Sequence, residues 1–252
     1  RTAANSLVNP TQMNLAFVDI YSAATAACDN DFDSLFVPFR AVASDVYNKK
    51  SIVLGKGDLG DAVRASMSFP LVFKPIKIDS LLAFDGGIYD NFPYDVMRDE
   101  FNPDFVIGCN VSGNEPIPAD YDMLGQLRSM IMQKSNYDLP EEAGIKIELK
   151  LDHIALLDFH KYDEIYDLAY TTTIGMMDSI KGRITARRDT LQLQDKRAEF
   201  KGLMPPARFN EINVYGTRNK DQNEYIKRGI RMDQENVFDY EQLKFDILKL
   251  IS

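Results

Sequence analysis

Apolar residues recur along this chain in two alternating rhythms. Met13, Ala16, Phe17, Ile20 and Ala24 are spaced as one face of a helix. Asn9 precedes them as an N-cap, and Pro10 stands at the first helical position, where its missing N–H costs nothing. "LFVPFRAVASDV" (35–46) is β-rich, and "SIVL" (51–54) follows as a short strand after the turn "NKK". The turn glycines of "GKGDLGDAVRASM" lead into a short helix capped by Asp58. "FPLVFKP" and "SLLAF" are apolar and extended, and "DFVIGCNVSG" (104–113) is a buried strand ending in a Ser-Gly loop. "MLGQLRSMIMQK" is an amphipathic helix, "GIKIELKL" alternates as a strand, and "YDEIYDLAYTTTIGMMDSI" (162–180) is a long helix with an apolar face. Strands alternating with helices predict an α/β fold with a mostly parallel sheet.

Near residue 183 the pattern changes. "KGRITARRDTLQLQDKRAEFKGLMPPAR" is polar, charged and closed by Pro205-Pro206, which marks a linker or loose connecting helix over 184–207. Beyond it "FNEINVYG" is a strand, and Asp221 with Glu224 forms a capping-box pattern before "YIKRGI". Asp239 caps a last helix bearing Tyr240, Leu243, Ile247 and Leu250. The expected division is therefore 1–183, a linker over 184–207, and a small β-α-α segment over 208–252. The chain opens on Arg and closes inside a helical pattern, so it is expected to be a piece of a longer polypeptide.

Composition narrows the function classes. With 252 residues, 45% hydrophobic and 27% charged, the chain suits one large globular domain with a small appendage. A formal charge of −9 argues against general nucleic-acid binding. Cys28 and Cys109 form no C-x-x-C pair, and His153 and His160 are the whole histidine supply, so no metal site and no cofactor are expected. No run of about 20 apolar residues is present to span a membrane. The methionines of "SMIMQ" and "GMMD" are expected in the core, and 186–201 as a solvated face.

The most specific stretch is "FDGGIYDNFP" (84–93). Taken alone it is a hairpin turn between "SLLAF" and "IYDNF". Yet Asp85 follows a buried strand, where open α/β sheets place their sites. A carboxylate beside a serine hydroxyl acts as its base without histidine, which fits so histidine-poor a chain. Gly86 and Gly87 serve backbone shape, and Asp90 and Asn91 order the following turn. Ser66, Ser68 and Ser112 all lack the flanking glycines of a nucleophile turn.

"PFRAVASD", "VRASMSFPLVFKP" and "FDGGIYDNFP", in that order, resemble the distal part of a patatin-like phospholipase domain, over roughly residues 10–180. The resemblance implies a partial three-layer fold and a Ser-Asp dyad that hydrolyses lipid acyl esters through an acyl-enzyme, with Asp85 as general base. It implies a lipid or ester substrate met at a membrane surface. Arg64 would contact a lipid phosphate or pair structurally, and Asp45 would cap its loop. The G-x-S-x-G turn and glycine-rich oxyanion loop of that family are not among these residues and are expected before Arg1, so residues 1–252 are expected to be inactive alone. "INVYG" followed by "YIKRGI" resembles the first half of a POTRA domain, which implies a bacterial outer-membrane protein, periplasmic or surface-exposed, with protein partners or self-association through that tail. The rival expectation is a non-catalytic patatin-like scaffold, or a POTRA-type interaction module of outer-membrane assembly.

Overall fold

The computed structural model describes residues 8–112, 123–151, 153–154, 158–215, 219–231 and 237–251. Helix α1 (Thr11–Ala27) starts where the Asn9 side chain accepts the Thr11 N–H at 3.1 Å, satisfying one of the orphan donors of a helix start. Strands β1 (Ala41–Asp45) and β2 (Lys50–Leu54) follow, then helix α2 (Leu59–Ser66). The Asp58 side chain caps α2 by accepting the Asp61 N–H at 2.8 Å. Strands β3 (Ile76–Ile78) and β4 (Leu81–Asp85) lead to helix α3 (Tyr94–Phe101) and strand β5 (Val106–Asn110). Helix α4 (Met123–Ile131), strand β6 (Gly144–Glu148) and helices α5 (Tyr162–Gly175), α6 (Met177–Arg183) and α7 (Thr190–Gly202) complete the larger part. Strand β7 (Arg208–Phe209), helix α8 (Lys220–Gly229), strand β8 (Phe238–Asp239) and helix α9 (Tyr240–Ile251) close the chain.

The mixture of helices and strands is the α/β class expected, but the strand directions are not mostly parallel. One sheet runs β2-β1-β4-β3 with antiparallel pairs throughout. Short connections dictate two of these pairs: only 46–49 separate β1 from β2, and only Asp79 and Ser80 separate β3 from β4. A parallel pair needs a crossover of a dozen or more residues. The β5–β6 connection has that length and contains α4, and that pair is parallel.

Small residues set the central packing. Ala43 of β1, Ala65 of α2 and Ala83 of β4 are all fully buried against one another, which brings α2 close onto the sheet. Beside them Cys28, Phe32, Ala41, Leu59 and Ala62 form a second cluster between α1 and α2. A third joins Ile147 and Leu149 to Ile180, with Ala169 and Met176 against it.

Several local expectations change. "FPLVFKP" forms turns, because Pro70 and Pro75 deny a ladder its donors and Leu71 takes a left-handed φ of 70°. The 162–180 helix breaks at Met176, and its Tyr162, Tyr166, Tyr170 and Ile174 face solvent, while Ala169 and Met176 meet the core. Strand β5 is buried on one face only. Met130 is exposed. The 184–207 stretch contains α7, whose Phe200 packs on the α1–α2 cluster. The "FNEINVYG" strand extends only over Arg208–Phe209. Helix α8 is capped by Asn219 rather than Asp221, its Oδ1 accepting the Gln222 N–H at 2.9 Å. Asp239 does cap α9, and the Tyr240 hydroxyl donates to the Leu15 carbonyl of α1, docking the last segment on the first helix. No helix among the described residues is long and apolar enough to cross a membrane.

Candidate active site

Asp85 is the last residue of β4, and the antiparallel register pairs it with Ala43 at the middle of β1. Its N–H donates to the Ser68 carbonyl at 3.1 Å, which holds its backbone to the segment after α2. Its Oδ1 accepts the Gly87 N–H at 2.8 Å. The chain does not return as a hairpin. It winds into a short 3₁₀ turn over Gly86–Ile88, with the Tyr89 and Asp90 N–H groups both donating to the Gly86 carbonyl.

Both glycines are required by space. A Cβ on Gly86 would collide with the Val42 carbonyl of β1. A Cβ on Gly87 would lie 2.5 Å from Asn91 Oδ1 and 3.1 Å from Asp85 Oδ1. Without side chains, the turn lets β4 deliver the Asp85 carboxylate directly against its own backbone donor.

Asn91 ties this turn to the rest of the molecule. Its Nδ2 donates to Ser112 Oγ at 2.7 Å and to the Tyr137 hydroxyl at 3.0 Å, and its N–H donates to Ser135 Oγ at 3.2 Å. Ser112 stands just beyond β5, so the end of β5 and the Asp85 turn are held together. Ser112, Ser135 and Tyr137 carried no sequence signal for this role, because they lie 21, 44 and 46 residues from Asn91.

The Asp85 turn, β1 and the end of α2 border an open cavity of about 390 Å³ whose walls include Asp85, Gly86, Gly87, Asn91, Ser66 and Arg40. The Arg40 guanidinium is committed to Asp33 at 2.8 Å and Glu100 at 3.0 Å, and these carboxylates raise its pKa further. Asp90, also on the wall, has its carboxyl pushed up by burial. A carboxylate held by a backbone N–H beside apolar walls is what acyl transfer needs of its general base.

The other candidates fall elsewhere. Arg64 is buried. It donates to Ser68 Oγ at 2.7 Å, the Lys74 carbonyl at 3.1 Å and Asn14 Oδ1 at 3.2 Å, and lies over the Phe73 ring. Burial lowers its pKa. Ser68 accepts that Arg64 bond and donates to the Arg64 carbonyl, also at 2.7 Å. Asp45 closes the β1–β2 turn by accepting the Tyr47 and Asn48 N–H groups and the Asn48 amide, whose hydrogen bonds hold its carboxyl below the usual range. His153 and His160 are exposed, His153 against Glu164 at 2.7 Å. Among the described residues no three His, Cys, Asp or Glu side chains converge as a metal site requires.

The chain is similar in sequence to known proteins. An uncharacterised NTE family protein of Mycobacterium tuberculosis is 37% identical over 87 residues, 34% of this chain and 24% of that protein. The mouse patatin-like phospholipase domain-containing protein 6 is 23% identical over 247 residues, 82% of this chain and 18% of that protein. That span is more than residues 1–183 can supply, so the likeness continues past the larger part. A lysophospholipase, nte1, of Aspergillus niger is 22% identical over 204 residues, 69% of this chain and 13% of that protein. The chain thus spans about a quarter or less of the length of these relatives. Every residue on the wall of the Asp85 cavity lies within 8–98, the part of this chain that matches the patatin-like phospholipase family.

Proposed function

We propose that this chain is part of a lipid acyl hydrolase in which Asp85 is the general base of a Ser-Asp dyad. The serine comes from a G-x-S-x-G segment outside residues 1–252. The observation that carries the proposal is the Asp85 carboxylate, fixed by Gly87 at the end of a central strand and facing a cavity within the family match.

In the first half-reaction the serine Oγ attacks the ester carbonyl carbon and its proton passes to Asp85. The tetrahedral intermediate collapses, the C–O bond to the alcohol breaks, and the alcohol oxygen takes the proton from Asp85. In the second half, Asp85 accepts a proton from water as that water attacks the acyl-enzyme. The fatty acid leaves and the proton returns to the serine. The Gly87 N–H fixes the carboxylate plane through both halves. Asn91 holds the turn in place from the side of β5. The route calls on no metal or cofactor. The substrate is a lipid acyl ester taken from a membrane or micelle surface.

The test is Asp85→Asn in the polypeptide that also carries the G-x-S-x-G segment. Asparagine keeps an oxygen for the Gly87 N–H but takes no proton. Hydrolysis of a short-chain ester should fall by about 10²- to 10⁴-fold with the melting temperature held. Activity within a few-fold of the parent would remove the dyad and leave the non-catalytic scaffold as the better reading.

A further inference from the structure

Asp85 shares its cavity with a hydroxyl. Among the described residues that line it, Ser66 alone carries one. The other polar side chains of that wall are otherwise occupied or are acceptors. Arg40 is held by Asp33 and Glu100, the Asn91 amide donates to Ser112 and Tyr137, and Asp85 and Asp90 are carboxyls.

Helical serine and threonine hydroxyls find a ready acceptor in the carbonyl four residues back. Ser68 uses it at 2.7 Å and Thr173 at 2.8 Å. Ser66, the last residue of α2, makes no side-chain hydrogen bond among the described residues. No buried side-chain oxygen among those residues lacks a partner, so the unpaired Ser66 Oγ is open to the cavity rather than sealed in. Its place beside β4 is fixed by its neighbours. The Asp85 N–H donates to the Ser68 carbonyl, and Ala65 is buried against Ala83 of β4 and against Ala43, the register partner of Asp85. Hydroxyl and carboxylate therefore border one space, the first from α2 and the second from β4.

Charge decides what such a hydroxyl can hold. Helix α2 ends at Ser66, so the side chain stands at the negative pole of that helix, on the wall it shares with the Asp85 carboxylate. An oxyanion is repelled there. A neutral oxygen that carries a proton is favoured, because it donates to the carboxylate while the hydroxyl, both donor and acceptor, bonds its lone pair. Two such oxygens pass through the proposed reaction, that of the alcohol and that of the water. Both exchange a proton with Asp85, so both occupy the same place in turn.

We propose that Ser66 Oγ holds the oxygen that exchanges its proton with Asp85, the alcohol oxygen in the first half-reaction and the water oxygen in the second. This assignment rests on the Ser-Asp reading of the site. Ser66 keeps its own proton throughout. As the C–O bond to the alcohol breaks, that oxygen takes the proton from Asp85, and the Ser66 O–H bonds it while charge gathers there. As water attacks, its oxygen bonds the acyl carbon and its proton goes to Asp85, with Ser66 fixing its orientation.

Two butyrate esters test this in the polypeptide that also carries the G-x-S-x-G segment. The nitrophenolate of p-nitrophenyl butyrate leaves without a proton, whereas the ethanol of ethyl butyrate needs one. The ratio kcat/KM covers only the steps through acylation, so it reads help to the leaving group apart from the attack of water. Ser66→Ala should lower kcat/KM for ethyl butyrate about tenfold, the worth of one hydrogen bond, and leave that for p-nitrophenyl butyrate within about twofold. With a subsaturating amount of the nitrophenyl ester, acid quench and mass spectrometry should show the ratio of acyl-enzyme to free enzyme raised about tenfold, because the water attacks more slowly. Ser66→Thr keeps the hydroxyl and should stay within about threefold of the parent on both esters. An equal loss on the two esters in Ser66→Ala, or a loss on neither, overturns the proposal. So does an unchanged acyl-enzyme ratio, or a threonine variant as slow as alanine on ethyl butyrate. Asp85→Asn separates the two ideas. A Ser66 difference between the esters with hydrolysis indifferent to Asp85 keeps the hydroxyl on the leaving oxygen and removes the base. An enzyme that depends on Asp85 but shows no such difference does the reverse.

Discussion

Replacing Gly86 by alanine tests the claim that close backbone approach delivers Asp85. The new Cβ would meet the Val42 carbonyl oxygen, and the carbonyl carbon would be 2.7 Å away. Ordinary carbon contacts lie near 3.5–4.0 Å, so one backbone must move by roughly 1 Å. Val42 cannot yield cheaply. It is buried, and β1 is held by the β2 ladder on one side and by β4 on the other. Overpacking of this kind costs about 1–3 kcal/mol. In a protein of this size each kcal/mol shifts the melting temperature by about 2–4 °C, so a fall of about 2–12 °C is expected. Because the shift is borne next to Asp85, hydrolysis by the polypeptide carrying the serine segment should fall by about 10²-fold. Gly182→Ala supplies the contrast. That glycine lies inside α6 with nothing within 4 Å of its would-be Cβ, and alanine there should stabilise by about 0.5–1 kcal/mol. Thermal unfolding by circular dichroism reads both variants. A Gly86→Ala protein melting within about 1 °C of its parent refutes the reasoning, as does a Gly182→Ala protein that loses as much.

Two further predictions concern a buried and a half-buried polar group near the site. Ser68→Ala removes both hydrogen bonds that Ser68 shares with Arg64 and leaves a buried guanidinium donor unmet, so urea unfolding should show a loss of about 1–3 kcal/mol. Burial raises the Asp90 carboxyl above its ordinary 3.8, so the unfolded chain ionises this group first as pH rises. The fold bears that cost at neutral pH and is relieved of it below the ordinary value. Asp90→Asn should therefore raise the melting temperature at pH 7 and change little near pH 3, and an Asn variant less stable at pH 7 contradicts the assignment.

What could be read from the chain was local. The caps at Asp58 and Asp239 are written within three residues of the groups they satisfy. The Asp-Gly-Gly turn is equally short-range, and it marked Asp85, one of the two carboxylate residues on the cavity wall. Strand direction was less accessible, because alternation of helices and strands does not distinguish a crossover from two hairpins laid side by side. The lengths of the connections do for neighbours in sequence, and the two- and four-residue links of the first sheet already forbade parallel β1–β2 and β3–β4 pairs. Arg64 and Asn91 were visible as polar residues at element ends, but their partners sit up to 50 and 46 residues away, where only tertiary packing selects them. The tyrosines of α5 satisfied a helical period without being buried, since apolar spacing says which residues share a face and not what that face meets.

The bond from Tyr240 to Leu15 links residues 225 positions apart. On a ribosome adding about 5–20 residues per second, α1 is made roughly 10–45 s before the residue that completes its surroundings. Through that interval α1 waits with its Leu15 carbonyl open to chaperones and to neighbouring nascent chains. A premature stop anywhere between Leu15 and Tyr240 makes the wait permanent, so a truncation more than two hundred residues downstream would still be felt at α1.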